Sequence, residues 1–157
     1  MGYDTIQFEK DLSAMGVTLT EKQISQFLKY YELLVEWNSF MNLTAITEFD
    51  EVIVKHFLDS ITLGFAFSQA DLSFSGKEKV IDIGTGAGFP GIPLKIAFPE
   101  LEVTLMDSLN KRVKFLQSVI NELELCDIEA VHGRAEEAAR NKLYREQFDL
   151  CVSRAVA

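Results

Sequence analysis

The chain has few of the residues that mark a disulfide-stabilised scaffold or a metal-binding module. It contains two cysteines, two histidines and three prolines in 157 residues. Cys126 and Cys151 lack the spacing of metal ligands, and we expect both to be small buried apolar side chains. We expect no metal site, and so low a cysteine content is typical of the reducing cytoplasm.

Basic charge and long apolar runs are also scarce. Lys and Arg number 15 against 24 Asp and Glu, which gives a net charge of −9 and argues against tight non-specific binding to nucleic acid. Residues 52–67 are apolar but are interrupted by Lys55, His56 and Asp59, so they are too short and too charged to span a bilayer. The chain also opens without a basic segment followed by an apolar one, so we expect a soluble protein.

The feature that stands out is a short apolar strand, residues 80–83, that runs directly into a glycine-rich loop. Gly84, Gly86 and Gly88 alternate along this loop, and glycine permits positive φ angles and close approach of a ligand to the backbone. A helix follows from about residue 91. This arrangement predicts a site for a ligand with a bulky polar group.

Two ligands fit the loop to different degrees. Residues 86–91 match the pattern Gly-x-Gly-x-x-Gly of dinucleotide-binding proteins, so an NAD-linked oxidoreductase is one alternative. Pro90 and Pro93 place the start of the helix near Gly91, which predicts that Gly91 is a loop residue and not a helix-packing one. Asp82 would lie beside the loop, where a carboxylate suits a cationic amino group. These features favour S-adenosylmethionine.

The first 67 residues have the pattern of a helical cap. Residues 20–23 read as a capping box that opens a long helix, and the segment from residue 48 to 67 resumes helical spacing after a polar stretch at residues 37–44. Residues 68–79 would connect the cap to the first strand. The buried face of the long helix is predicted to contain Ile24, Phe27, Leu28, Tyr31, Leu34 and Val35.

From residue 80 onward, strands alternate with helices. Further strands are predicted at residues 102–106, 127–131 and 148–152, and helices at 92–98, 110–123 and 134–143. This alternation predicts an α/β fold in which residues 80–157 form a Rossmann-like parallel sheet of order 3-2-1-4. Strand four would then be an edge, with Phe148, Leu150 and Val152 poorly covered. We therefore expect the chain to be incomplete at its carboxyl end.

Several segments carry a family resemblance. The glycine loop and Asp107 resemble class I S-adenosylmethionine-dependent methyltransferases, and residues 41–47, 55–60, 88–93, 132–136 and 153–157 together are similar to the glucose-inhibited division protein B family. That family methylates ring nitrogen 7 of a guanine in 16S ribosomal RNA. The resemblance implies S-adenosylmethionine as cofactor and 16S ribosomal RNA or the small ribosomal subunit as partner. It covers about the first two-thirds of a family member, so a non-catalytic cofactor-binding fragment is a further alternative.

Seven residues are candidates for the cofactor site. Gly84 and Gly86 lie in the loop, and Asp107 would accept both ribose hydroxyls at the end of strand two, although a role in capping the following helix stays open. The resemblance implies that Phe89 contacts the methionine part, although a ring turned into the core is also open. It further implies that Ala135 and Glu136 meet the adenine edge, while a helix-terminal charge is the alternative for Glu136. Arg154 ends strand four, where ligands sit in parallel sheets, although a merely solvated arginine is also open.

No catalytic base is expected, because nitrogen 7 of guanine has an unprotonated lone pair at neutral pH. Lys111, Arg112 and Lys114 read as a solvated helix face that RNA phosphates could also use. His56 and Asp59 lie three residues apart on one helix, and we interpret them as a local hydrogen-bonded pair and not as an acid–base dyad.

Overall fold

A computed structural model describes residues 2–69 and 74–153 of the chain. The N-terminal part is a cap of helices, as the sequence predicts. It comprises α1 (Ile6–Ala14), α2 (Glu21–Met41), α3 (Phe49–Val52), a π-helical segment (Ile53–Leu58) and α4 (Asp59–Gln69). Because α4 extends to Gln69, the connection to the sheet begins later than residue 68, and residues 70–73 of that connection lie outside the described residues.

The second part alternates strands with helices around a parallel sheet. Its elements are β1 (Lys79–Ile83), α5 (Gly91–Ala97), β2 (Glu102–Asp107), α6 (Asn110–Glu122), β3 (Ile128–His132), α7 (Ala135–Arg140) and β4 (Leu150–Val152). The strand order is β3-β2-β1-β4 and every pairing is parallel. This confirms the predicted order 3-2-1-4.

Helix α2 begins as predicted, and Phe27, Tyr31 and Leu34 of its predicted face are buried, but the face differs in part. The Gln23 backbone N–H donates to Thr20 Oγ1 at 3.2 Å, and the Thr20 N–H donates to Gln23 Oε1 at 2.7 Å, which completes the capping box. The buried residues include Tyr30 and Leu33, whereas Val35 is 38% exposed. The helix also continues to Met41, into the predicted polar stretch of residues 37–44, and ends at Asn42 with a φ of 50°. A left-handed residue of this kind commonly terminates a helix.

The main core lies between the sheet and the helices on its front face. Val80, Val103 and Leu105 point from the strands toward α5, α6 and the cap, and they belong to one cluster with the cap residues Phe27 and Phe57. A smaller cluster on the back face brings Ile81 and Met106 against Ala138 of α7. The front core therefore joins the cap to the carboxyl end of β1, where the glycine loop begins.

Three predictions about the last part of the chain need correction. Helix α7 ends at Arg140 because Asn141 Oδ1 accepts the Leu143 N–H in a local turn, and β4 is limited to residues 150–152. Val152 is buried at 5% exposure, because alternate residues of β4 face the front core. Leu150 and Phe148 are half-buried.

The cysteine prediction is also wrong. Cys126 and Cys151 are both exposed. Cys126 lies in the turn before β3, and Cys151 lies on the back face of β4, opposite the core-facing Val152. In the part of the chain that the structure describes, no helix is long and apolar enough to cross a bilayer.

Candidate functional site

The glycine loop leaves β1 at its carboxyl end and is fixed to the neighbouring strand. The N–H groups of Gly84 and Thr85 donate to the Met106 carbonyl of β2 at 2.8 and 3.1 Å. Gly86 has a φ of 60°, and a Cβ atom added there would meet no atom within 4 Å. The loop is therefore held at its base, while Gly86 faces open space in a conformation that favours glycine.

Asp82 anchors the base of this loop from inside the protein. It is fully buried, and its Oδ2 accepts hydrogen bonds from Thr85 Oγ1 at 2.7 Å and from the Gly91 N–H at 2.9 Å. The carboxylate thus joins the first turn of the loop to the start of α5. The sequence places Asp82 beside the loop facing a ligand, but in the structure it lies beneath the loop, on the strand face that points into the core.

Gly91 is a packing residue, contrary to the sequence prediction. It is the first residue of α5, and a Cβ atom there would lie 2.3 Å from Leu105 Cδ2 and 2.9 Å from Asp82 Oδ2. Pro93 does fit the first turn of this helix, as expected. The helix nevertheless begins directly over β1 and β2, so only glycine allows this close approach.

Asp107 links the loop to the end of β2. It is 2% exposed, and its Oδ2 accepts the Gly86 N–H at 2.9 Å while its Oδ1 accepts the Leu109 N–H at 2.9 Å. The Arg112 guanidinium lies 3.7 Å from Oδ2. The contact with Leu109 supports a role at the start of α6, and the contact with Gly86 shows that the same carboxylate also orders the loop.

The end of β3 lies beside the end of β2. The Gly133 N–H donates to the Asp107 carbonyl at 3.0 Å, and His132 Nε2 lies 3.0 Å from the Ser108 carbonyl oxygen. Ala135 and Glu136 follow as exposed first residues of α7. The structure thus brings their segment to the same edge of the sheet as Gly84, Gly86 and Asp107.

Phe89 faces the interior. It is 7% exposed, and its ring stacks on the His56 ring with 4.3 Å between centroids and an interplanar angle of 11°. This is the alternative in which the ring turns into the core. A contact between Phe89 and the cofactor stays a prediction.

The remaining candidate, Arg154, lies outside the described residues. Ser153, which precedes it, donates its hydroxyl to the Ile83 carbonyl at 2.9 Å, so the described end of the chain adjoins the end of β1. Of the basic residues on α6, Arg112 approaches Asp107, whereas Lys111 and Lys114 are exposed. Among residues 2–69 and 74–153, no group of three His, Cys, Asp or Glu side chains could hold a metal ion.

Sequence reasoning missed Tyr30 as a support of the loop. Its side chain is fully buried, and its hydroxyl donates to the Ala87 carbonyl at 2.5 Å. The signal was present, because Phe27, Tyr30 and Leu34 follow the spacing of three and four residues that places side chains on one helix face. An aromatic residue with a polar tip in such a series commonly bonds a buried carbonyl.

Comparison with known proteins yields a match over most of the chain. The family model described as rRNA small subunit methyltransferase G (GidB) matches residues 23–157. A protein of Lachnoclostridium phytofermentans named ribosomal RNA small subunit methyltransferase G is 58% identical over 98% of this chain and 62% of its own length. The protein of the same name from Lysinibacillus sphaericus is 54% identical over 96% of this chain and 61% of its own.

Solved structures share the fold at low identity. A Plasmodium falciparum protein described as a protein-L-isoaspartate O-methyltransferase, in complex with S-adenosyl-L-homocysteine, matches 99% of this chain and 75% of its own, with a TM-score of 0.54 and 12% identity. Coclaurine N-methyltransferase matches 95% of this chain and 50% of its own, with a TM-score of 0.51 and 12% identity. The chain therefore has a class I methyltransferase architecture.

Proposed function

Because the chain belongs to the rRNA small subunit methyltransferase G (GidB) family, we propose that it binds S-adenosylmethionine at the carboxyl ends of β1, β2 and β3. We further propose that its activity is transfer of the methyl group to ring nitrogen 7 of a guanine in 16S ribosomal RNA. The substrate would be this RNA or the small ribosomal subunit, and the protein would then act in the cytoplasm. The chain spans about 62% of the length of the curated relatives that it matches.

One observation carries the cofactor proposal: the Gly86 amide donates to the buried Asp107 carboxylate beside open space. An ionised carboxylate has two oxygens and about four acceptor positions. The N–H groups of Gly86 and Leu109 occupy one position on each oxygen, so acceptor capacity is left for ribose hydroxyls. Gly84 and Gly86 would let the cofactor approach the loop backbone.

The other candidates have supporting roles in this proposal. Ala135 and Glu136 would meet the adenine edge, since they follow β3 at the same end of the sheet. The Phe89 ring is packed in the protein interior. Phe89 would therefore affect binding of the methionine part indirectly, by fixing the position of the loop. Arg154 follows β4 in the sequence and would complete the site, because ligands bind at the carboxyl ends of parallel strands.

The proposed chemistry requires positioning more than acid–base catalysis. Bound S-adenosylmethionine would supply an electrophilic methyl group, and the guanine nitrogen already has a free lone pair. Holding two reactants in line can contribute roughly 7–11 kcal/mol. The target guanine must expose its edge, which an unpaired RNA segment allows. The protein residues would therefore bind and orient the reactants and exclude water.

The oxidoreductase alternative is not favoured. The finding that Gly91 packs against Leu105 removes one argument against a dinucleotide, because close helix packing is also the role of the last glycine in that fingerprint. The relatives, which match nearly the whole of this chain, are nevertheless named as methyltransferases. A direct comparison of ligands separates the two functions.

Calorimetry of the purified chain with S-adenosylmethionine, S-adenosylhomocysteine and NAD provides the test. We expect heat of binding with the two sulfur ligands and none with NAD. Binding of NAD alone would overturn the proposal. Labelled methyl incorporation into unmodified small ribosomal subunits then distinguishes an enzyme from a non-catalytic cofactor-binding fragment, because both bind cofactor and only the enzyme transfers the label.

A further inference from the structure

Two segments singled out in the sequence, residues 41–47 and 55–60, are not explained by the proposed cofactor contacts. The structure brings them together beneath the glycine loop through His56. This side chain is 8% exposed and lies in the π-helical segment Ile53–Leu58. π-Helical turns are rare in proteins, and those that occur are often found at functional sites.

The His56 ring has contacts on its face and on its edge. The face stacks on Phe89, with 4.3 Å between ring centroids. At the edge, Nε2 lies 2.8 Å from Thr44 Oγ1. The Thr44 hydroxyl also accepts the Ile46 N–H at 3.1 Å, and the Thr44 N–H donates to Asn38 Oδ1 at 2.9 Å. The hydroxyl that meets the imidazole is therefore itself held in place.

The π-helical segment stabilises this orientation from the backbone. The Asp59 N–H donates to the Val54 carbonyl, five residues earlier, which widens the helix at His56. Ser60 is 1% exposed, and its hydroxyl donates to the His56 carbonyl at 2.5 Å. A buried hydroxyl thus bonds the backbone of the residue whose side chain reaches the loop.

Phe89 couples the orientation of the His56 ring to the glycine loop. Its N–H donates to the Thr85 carbonyl at 3.2 Å, and Thr85 is bonded to Asp82. On the other side of the loop, Tyr30 bonds the Ala87 carbonyl. A shift of the Phe89 ring would therefore move the segment from Thr85 to Phe89, which contains Gly86.

We propose that His56 is a positioning residue of the cofactor site, which holds Phe89 and hence the glycine loop in the conformation that binds cofactor, with Thr44 setting the angle of its ring. The inference rests on the proposed function. An imidazole suits this place because it offers a flat face to an aromatic ring and a polar edge to a hydroxyl. Phenylalanine would retain only the stacking.

Four variants test the proposal with S-adenosylhomocysteine as the probe. Thr44→Val removes the hydroxyl and His56→Phe removes the polar edge, and we expect each to weaken binding by about three- to tenfold, the range of one hydrogen bond. The double variant should be no weaker than either single one, because both break the same contact. Thr44→Ser retains the hydroxyl and should bind as the unaltered protein does.

Ile61→Val is the matched control for loss of stability alone. Ile61 is fully buried in α4, so this variant should lower the Tm and leave affinity unchanged. If Thr44→Val lowers the Tm but binds normally, or if the Thr44 and His56 effects simply add, the positioning role is overturned. If the unaltered protein binds no S-adenosylhomocysteine, the proposed function itself fails, which is a distinct result.

Discussion

At the scale of single residues, two aspartates near the loop have different tasks. Asp82 is enclosed beneath the loop and bonds Thr85 and Gly91, so it stabilises the loop from within. Asp107 lies at the carboxyl end of β2 and bonds Gly86 from the side. Only the second carboxylate lies next to the open space at Gly86, which makes it the better candidate for a ligand contact.

Gly86→Val should abolish cofactor binding with a moderate loss of stability. Its φ of 60° disfavours a β-branched residue by roughly 1–2 kcal/mol, and the added methyl groups would occupy the space that we assign to the cofactor. Calorimetry with S-adenosylhomocysteine gives the readout. Gly16→Val is the matched control, because Gly16 has a φ of 82° and equally open surroundings but lies after α1. Normal binding by the Gly86 variant would remove the loop from the site.

Asp107→Ala should weaken cofactor binding by about 1–3 kcal/mol, the range for hydrogen bonds to a charged group. Both the ribose contact and the anchor of the Gly86 amide would be lost. Asp149→Ala serves as the control, since Asp149 Oδ2 likewise accepts a backbone N–H, that of Lys79, at 2.9 Å at the opposite end of β1. Equal affinities of the two variants would assign Asp107 to the start of α6 alone.

At the scale of elements, the position of α5 depends on one glycine. The helix crosses β1 and β2 so closely that Gly91 touches Leu105 and Asp82. The N–H of Gly91 also bonds the Asp82 carboxylate. The start of this helix therefore determines the length and shape of the loop before it.

Gly91→Ala should destabilise the fold by about 1–3 kcal/mol, as overpacking of a well-packed site does. The new Cβ atom would lie 2.3 Å from Leu105 Cδ2, so the helix must move away from the sheet. Urea unfolding measures the change in free energy. Gly2→Ala should be neutral, because a Cβ atom there meets nothing within 4 Å. An unchanged midpoint for Gly91→Ala would show that α5 can shift freely.

At the scale of the whole molecule, the helical cap and the sheet share one core, and the cap reaches the loop through Tyr30 and His56. The edge strand β4 is less well protected from pairing with another chain. Within residues 2–69 and 74–153, β4 pairs with β1 alone, and Cys151 on it is exposed. An edge strand with a free side is a template for pairing with another chain.

The 157-residue chain should therefore self-associate as its concentration rises, even though its net charge of −9 opposes association. Light scattering under reducing conditions, which exclude a disulfide through Cys151, measures the mass. Cys151→Lys should reduce the association, because a lysine on an edge strand disfavours pairing. A constant monomer mass over the whole concentration range would show that this edge is adequately protected.

Local pattern alone determined most of the architecture. The switch from helical spacing to alternating strands and helices predicted a cap followed by a parallel sheet, and the doubly wound fold class supplied its order. The capping box at Thr20 and the glycine loop after β1 were equally readable, because both depend on residues close together in sequence. Asp107 was placed at the end of β2 for the same reason.

Tertiary structure alone decided which way the side chains face and what they meet. It turned the ring of Phe89 onto His56, placed Asp82 beneath the loop and packed Gly91 against Leu105. It also exposed Cys151, which alternation along β4 places opposite Val152. The contacts of Phe89 with His56 and of Gly91 with Leu105 join different elements of the chain, so no local spacing contains them. They depend on how closely a helix approaches a sheet and which strand face the cap covers.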